Sequence, residues 1–459
     1  MKNSNRILLV SALLLSFAFA KAQDVSPLDF MRMNPYQMKS NPATDLPYQS
    51  VFSMLFGNAS LGIQNSGLYY DNCFNFDAQG VPQAFNLRKL ADGLSDNNYL
   101  GVNASNNFFT LYRSLKKGML TIGFDVRAQG EMAYTKDMFK LLGYGNSAFV
   151  GENNPATINV KANMMAYQQI AVGYQMNITD KLSVGARGKL LLGLANVTTD
   201  AFDVKLFTDP DSYAIRLQEN IGVRMCVPRV LMVEEGRLKL NKNVGLVDLW
   251  RDPGFGLDLG AEYHITDQIG VVAAVTDLGF ISWRGNDILL SGKINDMGEF
   301  YDNGDFLFNG LEWEEIQNIT SDPTYREQFL DTLKQYFRVD FSNTDRYITG
   351  LNTNVMLRGY YDLNAQNRVS LQLQGQFMGT GFRPAMTLAY SGSFFKMLDV
   401  CATYTMMKGS FANIGLGLGG NFGTFHIYAV TSNIFGVFNP LNSKSFNAQA
   451  GIVFNMRKN

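Results

Sequence analysis

The sequence predicts an all-β fold: a transmembrane antiparallel β-barrel of about 14 strands, with an N-terminal plug segment and an acidic extracellular insert containing a short helix. Three observations carry this expectation. They are an export signal at the N-terminus, long segments that alternate apolar and polar residues, and six short turns separated by longer connections.

The export signal comes first in the chain. Lys2 and Arg6 precede an apolar stretch from Ile7 to Ala20, which runs into Ala20-Lys21-Ala22 and then Gln23. That order is a secretory signal peptide, residues 1–22, with cleavage expected after Ala22. A membrane anchor needs roughly 20 apolar residues, and this stretch ends sooner. No cysteine follows the cleavage point, which argues against a lipid-anchored lipoprotein. No later apolar run approaches the roughly 18 residues of a spanning helix, so a membrane protein of this sequence must close as a barrel.

Composition agrees. Charged residues make up 17% of the chain, below the roughly 25% of soluble domains. Lys plus Arg (39) nearly balances Asp plus Glu (40), so no net charge steers the chain to nucleic acid. Cys73, Cys226 and Cys401 are too far apart in sequence for a zinc site and odd in number for a disulfide framework.

The alternation is plainest at Leu120, Ile122, Phe124, Val126 and Ala128, which oppose Thr121, Gly123, Asp125, Arg127 and Gln129. The even positions from Leu182 to Leu194 and the odd positions from Phe255 to Ile265 repeat it. So do Ile269 to Val275, Val355 to Leu363, Val369 to Phe377 and Phe446 to Met456, and none of these apolar-face positions is charged. A soluble sandwich also keeps charge off its core face. The export signal, the length of the segments, and Tyr174, Tyr263 and Tyr361 on the apolar face near turns favour a membrane barrel with an aromatic girdle.

Short turns mark the periplasmic end of such a barrel. They are read at Lys116-Lys117-Gly118, Ile178 to Lys181, Ile265 to Gln268, Asn364 to Asn367, Lys396 to Leu398 and Gly423-Thr424. These join twelve strands, and a first strand at Val51 to Gln64 with a last at Phe446 to Met456 completes the count and the bacterial outer-membrane topology. The hairpin from Asn196 to Val227, turning at Asp209-Pro210-Asp211-Ser212, either extends its neighbours outward or adds two strands; the extension is preferred. Within residues 47–459, the insert 286–346 carries 13 Asp and Glu against 5 Lys and Arg. Its stretch from Pro323 to Arg338 has helical spacing of aromatic residues. Asp302-Asn303-Gly304-Asp305 lacks the remaining ligands of a calcium loop and reads as a turn.

At the mature N-terminus, residues 23–46 hold Pro27, Pro35 and Pro42, which disfavour a barrel strand. Asn34-Pro35, Asn41-Pro42-Ala43, Asp277-Leu278-Gly279-Phe280-Ile281-Ser282-Trp283 and Tyr428-Ala429-Val430-Thr431-Ser432-Asn433 resemble an uncharacterised Bacteroidota outer-membrane barrel family. That family is itself similar to the long-chain fatty-acid transporter superfamily and to PorV-type barrels. The resemblance implies fourteen strands and an N-terminal plug, with Asn41, Pro42 and Ala43 as the turn of that plug. The transporters' ligand-binding residues have no match here. Gln449 to Met456 is similar to the C-terminal signal read by barrel-assembly machinery.

Chemistry is sparse. His264 and His426 sit in no catalytic or metal-ligand motif, so neither an enzyme nor a cofactor is expected. The polar faces instead nominate a lumen lining: Arg127, Arg187, Lys189, Asp258, Glu262, Gln372, Gln374 and Gln376, with Arg358 and Asp125 beside them. Opposed charges fill or narrow a barrel. Two functions follow. One is a channel or transporter for small hydrophobic or amphipathic molecules; the other is a structural or assembly component holding outer-membrane or periplasmic protein partners.

Overall fold

Polar side chains set the tight turns from which the architecture follows. Thr179 Oγ1 accepts from the amides of Lys181 (3.2 Å) and Leu182 (3.0 Å), and Thr266 Oγ1 from Gln268 (3.2 Å) and Ile269 (3.0 Å). Asn364 Oδ1 accepts from Gln366 and Asn367, both at 2.9 Å, and Gly423 takes φ 67° where a side chain would be strained. Such self-bonded turns reverse the chain within a few residues and fix the register of each hairpin.

The computed structural model describes residues 25–226, 252–284, 346–395, 397–407 and 410–457, with short segments between 231 and 344. Its barrel strands are β1 (Tyr48–Asn65), β2 (Asn97–Leu115), β3 (Gly118–Thr135), β4 (Ala156–Asn177), β5 (Leu182–Thr208), β6 (Asp252–His264) and β7 (Ile269–Trp283). They continue as β8 (Thr353–Asp362), β9 (Asn367–Met378), β10 (Gly381–Phe394), β11 (Leu398–Met407), β12 (Ser410–Phe422), β13 (Phe425–Thr431) and β14 (Ser445–Arg457). Each pairs antiparallel with the next, and β1 pairs with both β2 and β14. The fourteen-stranded sheet is therefore closed on itself.

Alternation sorts the side chains. Leu418 is 61% exposed and Phe255 53%, and Tyr174, Tyr263 and Tyr361 also point outward, whereas Arg187, Asp258 and Gln372 on the opposite faces are buried. An apolar exterior around a polar interior is the arrangement of an outer-membrane barrel, and this chain is one.

The hairpin expected over 196–227, described as far as Cys226, extends outward as expected. Beyond Gly193, where its pairing with β6 stops, β5 pairs with Ile215–Cys226, leaving the barrel at fourteen strands. The extension grows by Asp287–Ile294 and Phe337–Thr344. This corrects the end of the helix expected over Pro323–Arg338: Phe337 and Arg338 open a strand, because pairing with Ile294 and Lys293 overrides local helical spacing. Thr324, Tyr325 and Gln328 are helical; the rest of that helix, residues 302–305 and the signal peptide lie outside the described residues. On the same end, Tyr134 of β3 packs with Leu90 and Leu94 beneath a small cap of loop helices.

Candidate functional site: the barrel interior

The N-terminal segment from Val25 to Pro47 lies inside the barrel, and its own sequence shapes it. Ser26 Oγ accepts from Leu28 N at 3.2 Å to open a 3-10 turn at Pro27–Phe30. Asn34 Oδ1 accepts from Tyr36 N at 3.0 Å to open another at Pro35–Lys39. Both use a capping side chain followed by proline, whose missing N–H costs nothing at a first turn. Asn41 Oδ1 accepts from Ala43 N at 3.0 Å, closing the Asn41-Pro42-Ala43 turn. That turn rests on two glycines of the wall: a Cβ on Gly185 would stand 2.1 Å from Pro42 O, and one on Gly260 2.2 Å from Asn41 Oδ1.

One side of the segment is apolar. Leu28, Phe30, Met31, Tyr36 and Met38 pack against Tyr112, Ala389, Cys401, Tyr428, Val430 and Val453 of the wall. Polar ties fix the depth: Tyr36 Oη donates to Asn107 Oδ1 (2.7 Å), Ser26 Oγ to Gln449 Oε1 (2.8 Å), and Met33 N to Asp399 Oδ2 (3.0 Å). Beside Tyr36, the Lys39 ammonium lies 4.9 Å from the centre of the Tyr36 ring and pairs with Asp125, which also accepts from Asn107 Nδ2 at 3.0 Å. Burial pushes the Lys39 ammonium below its ordinary pKa, and the Asp125 carboxylate opposes that shift.

Beyond Lys39 the predicted charges meet. Asp258, fully buried, takes Arg187 at 2.6 Å and Lys189 at 2.5 Å. Lys189 also reaches Asp277 at 2.5 Å, and Arg127 Nη1 bonds both Asp277 oxygens at 3.0 Å. Asp277 N donates to Asp258 Oδ1 at 2.7 Å, so the chain Arg187–Asp258–Lys189–Asp277–Arg127 is continuous. Asp258 and Lys189, the most deeply buried of these, are tolerable there only because their opposite charges are present.

Asp277 was not among the residues nominated from sequence. Strict alternation with Val271, Ala273 and Val275 would turn it to the lipid. A bulge, seen as the register shift opposite Leu257 and Leu259 and as φ 57° at Asp277, swings it into the lumen and resets the parity, so Leu278 and Phe280 face out. Lys39 was also missed, since the inner segment has no periodicity.

The remaining nominees lie elsewhere on the wall. Glu262 accepts from Tyr360 Oη at 2.9 Å, outside the charge chain, and Tyr360 also contacts His264 Nδ1 at 3.0 Å. Arg358 donates to Gln372 at 2.8 Å and to Asp29 O at 2.7 Å, Gln372 to Gln374 at 2.6 Å, and Gln374 to Asn354 at 2.8 Å. Gln376 lies beyond this ladder, half-buried, opposite Asn354 and Arg383. His426 is fully buried, its Nδ1 3.1 Å from Asn421 Oδ1. Among the described residues the cysteines form no disulfide, and no cluster of His, Cys, Asp and Glu is placed to hold a metal.

Two cavities flank the segment. One of about 840 Å³ opens at the short-turn end between Arg32, Gln37, Asp45, Lys181, His264 and Arg368. Another of about 200 Å³ lies against the charge chain, lined by Lys39, Asp125, Arg127, Asn103 and Gln449.

A model of a family of unknown function, DUF5723, matches residues 42–432. The chain belongs to this family. The match starts in the Asn41-Pro42-Ala43 turn and runs through β13, so it covers the charge chain of this DUF5723 barrel entirely. No curated protein matches the chain. Among solved structures it is similar to the toluene transporter TodX of Pseudomonas putida, with TM-score 0.44 and 9% identity over 95% of this chain and 97% of that one. It is similar to a FadL homologue of Pseudomonas aeruginosa, with TM-score 0.44 and 9% identity over 95% and 100%. It is also similar to the toluene transporter TbuX of Ralstonia pickettii, with TM-score 0.42 and 8% identity over 95% and 99%.

Proposed function

We propose that this outer-membrane barrel transports small hydrophobic or amphipathic molecules, with the segment Gln23–Leu46 as the plug of its path. The observation that carries the reading is the two-sidedness of the interior. The wall under Leu28 and Met31 is apolar, and the wall beyond Lys39 is charged. Displacing the segment uncovers an apolar strip beside a polar one, a surface suited to a molecule with both characters. Cavities on either side of the segment give such a molecule somewhere to wait.

A second reading, a scaffold in the outer membrane, draws on a different observation. The chain Arg187–Asp258–Lys189–Asp277–Arg127 fills part of the lumen with fixed charge, as a barrel that conducts nothing would. Its partners would then be outer-membrane or periplasmic proteins, reached through the short-turn end. The final strand serves the barrel-assembly machinery in either case.

Vesicles containing the purified protein separate the two. Transport predicts that a fluorescent amphiphile equilibrates across them faster than across lipid alone, and that native mass spectrometry finds an apolar molecule bound to the protein. Equal rates with and without protein, and a ligand-free spectrum, would leave only the scaffold.

A further inference from the structure

Strand β13 is short. It pairs with β12 only from Leu416 to Phe422 and with β14 only from Gln449 to Phe454. Above it, Ser410–Gly415 of β12 keep only their β11 partner, and Ser445–Ala448 of β14 keep only β1. The wall thus has a notch at its long-loop end, and a short helix, Ile434–Phe438, followed by a turn at Pro440–Asn442, packs against both flanking strands there.

The filling has the sidedness of the wall. Its polar groups turn inward: Asn433 Nδ2 donates to Ser445 O and Ser445 Oγ, both at 3.1 Å, and Ser445 Oγ to Asn413 Oδ1 at 3.4 Å, all buried. Gly436 lies so close beneath Ser445 that a Cβ would stand 2.3 Å from its carbonyl oxygen. The apolar groups turn outward: Phe438 is 82% exposed, Leu441 64%, and Phe435 and Val437 join them. No residue from Ser432 to Ser443 is charged. Its backbone is bonded internally, with Gly436 N donating to Asn433 O (3.1 Å) and Asn439 N to Phe435 O (3.0 Å). Irregular backbone facing lipid is disallowed, but a self-bonded turn of helix is not.

We propose that residues 432–443 are not an aqueous surface loop but a membrane-embedded panel, standing in for the missing upper part of β13 and covered by acyl chains of the outer leaflet. The occupant is identified by continuity, since the outward residues Leu416 and Ile414 of β12 and Leu61 and Ile63 of β1 flank the panel and belong to the lipid-facing band. Asn442 Oδ1, accepting from Asp71 N at 2.9 Å, marks where the panel meets the aqueous loops. The panel does not depend on transport.

The test is depth-dependent quenching in vesicles that contain only this protein and phospholipid. Phe438→Trp and Leu441→Trp are compared with Leu418→Trp on the lipid face of β12 and Phe85→Trp on a loop hairpin, each as the difference from the three native tryptophans. The expected result is blue-shifted emission lost to brominated acyl chains to the same extent as Leu418→Trp, and little lost to aqueous acrylamide. Emission at the wavelength of Phe85→Trp, quenched by acrylamide and not by brominated lipid, would overturn the proposal. That outcome would make the patch a docking surface for another protein.

Discussion

Replacing Asp258 by asparagine probes the charge chain with almost no change of volume. Asp258 is wholly buried and takes Arg187 at 2.6 Å, Lys189 at 2.5 Å and the Asp277 amide at 2.7 Å. The surrounding cations are Lys39, Arg127, Arg187 and Lys189, against the carboxylates of Asp125, Asp258 and Asp277. Four positive charges face three negative ones, and Asp258→Asn leaves two. Removing one partner of a buried ion pair costs about 3–5 kcal/mol. The asparagine carbonyl keeps one acceptor, which places this variant at about 3 kcal/mol, the lower end of that range. Urea unfolding in phospholipid vesicles, followed by loss of the folded band on unboiled gels, measures it. Lys189→Met added to Asp258→Asn removes the stranded ammonium, so the double variant is expected to be more stable than Asp258→Asn alone. A loss below about 1 kcal/mol, the level of an exposed pair, would refute the picture of a desolvated, mutually dependent chain.

Other consequences follow from single contacts. Gly185→Ala would set a Cβ 2.1 Å from Pro42 O, so the inner segment should become cleavable by trypsin at Lys39, whereas Gly359→Ala, with nothing within 4 Å, should leave it protected. Trp283, fully buried with Nε1 donating to Thr349 Oγ1 at 2.7 Å, anchors the upper interior beside Tyr167 and Tyr347. Trp283→Ala should cost about 3–5 kcal/mol in the same urea assay, and Trp283→Phe less. An epitope inserted after Asn303 should label on intact cells, because Trp283 ends a strand running away from the short turns; labelling only after permeabilisation would invert the topology.

The wall was legible because its physics is local. A strand between lipid and lumen must alternate, and a tight turn must carry residues such as Thr179 or Asn364, so both leave a mark in sequence. Arg187, Lys189 and Asp258 could be nominated on that basis alone. Asp277 could not, since a left-handed residue in mid-strand reverses parity without a glycine to announce it. Lys39 meets Asp125 only through the tertiary path of a segment without periodicity. The segment after Thr431 offers neither alternation nor a helix long enough to detect, and only the missing partners of β12 and β14 show that it completes the wall.

The central claim is that the N-terminal segment closes a path through the barrel. Planar-bilayer conductance of the intact protein, compared with a variant lacking residues 25–46, tests it most directly. Tyr36→Ala, which removes the hydrogen bonds to Ser53 and Asn107 and leaves the strands intact, provides a milder opening should the deletion fail to fold. The account predicts a silent intact barrel, stable open-channel steps in the deletion variant and brief openings for Tyr36→Ala. A folded deletion variant that stays as silent as the intact protein would show that the charged lumen is closed without the segment, and would contradict the account.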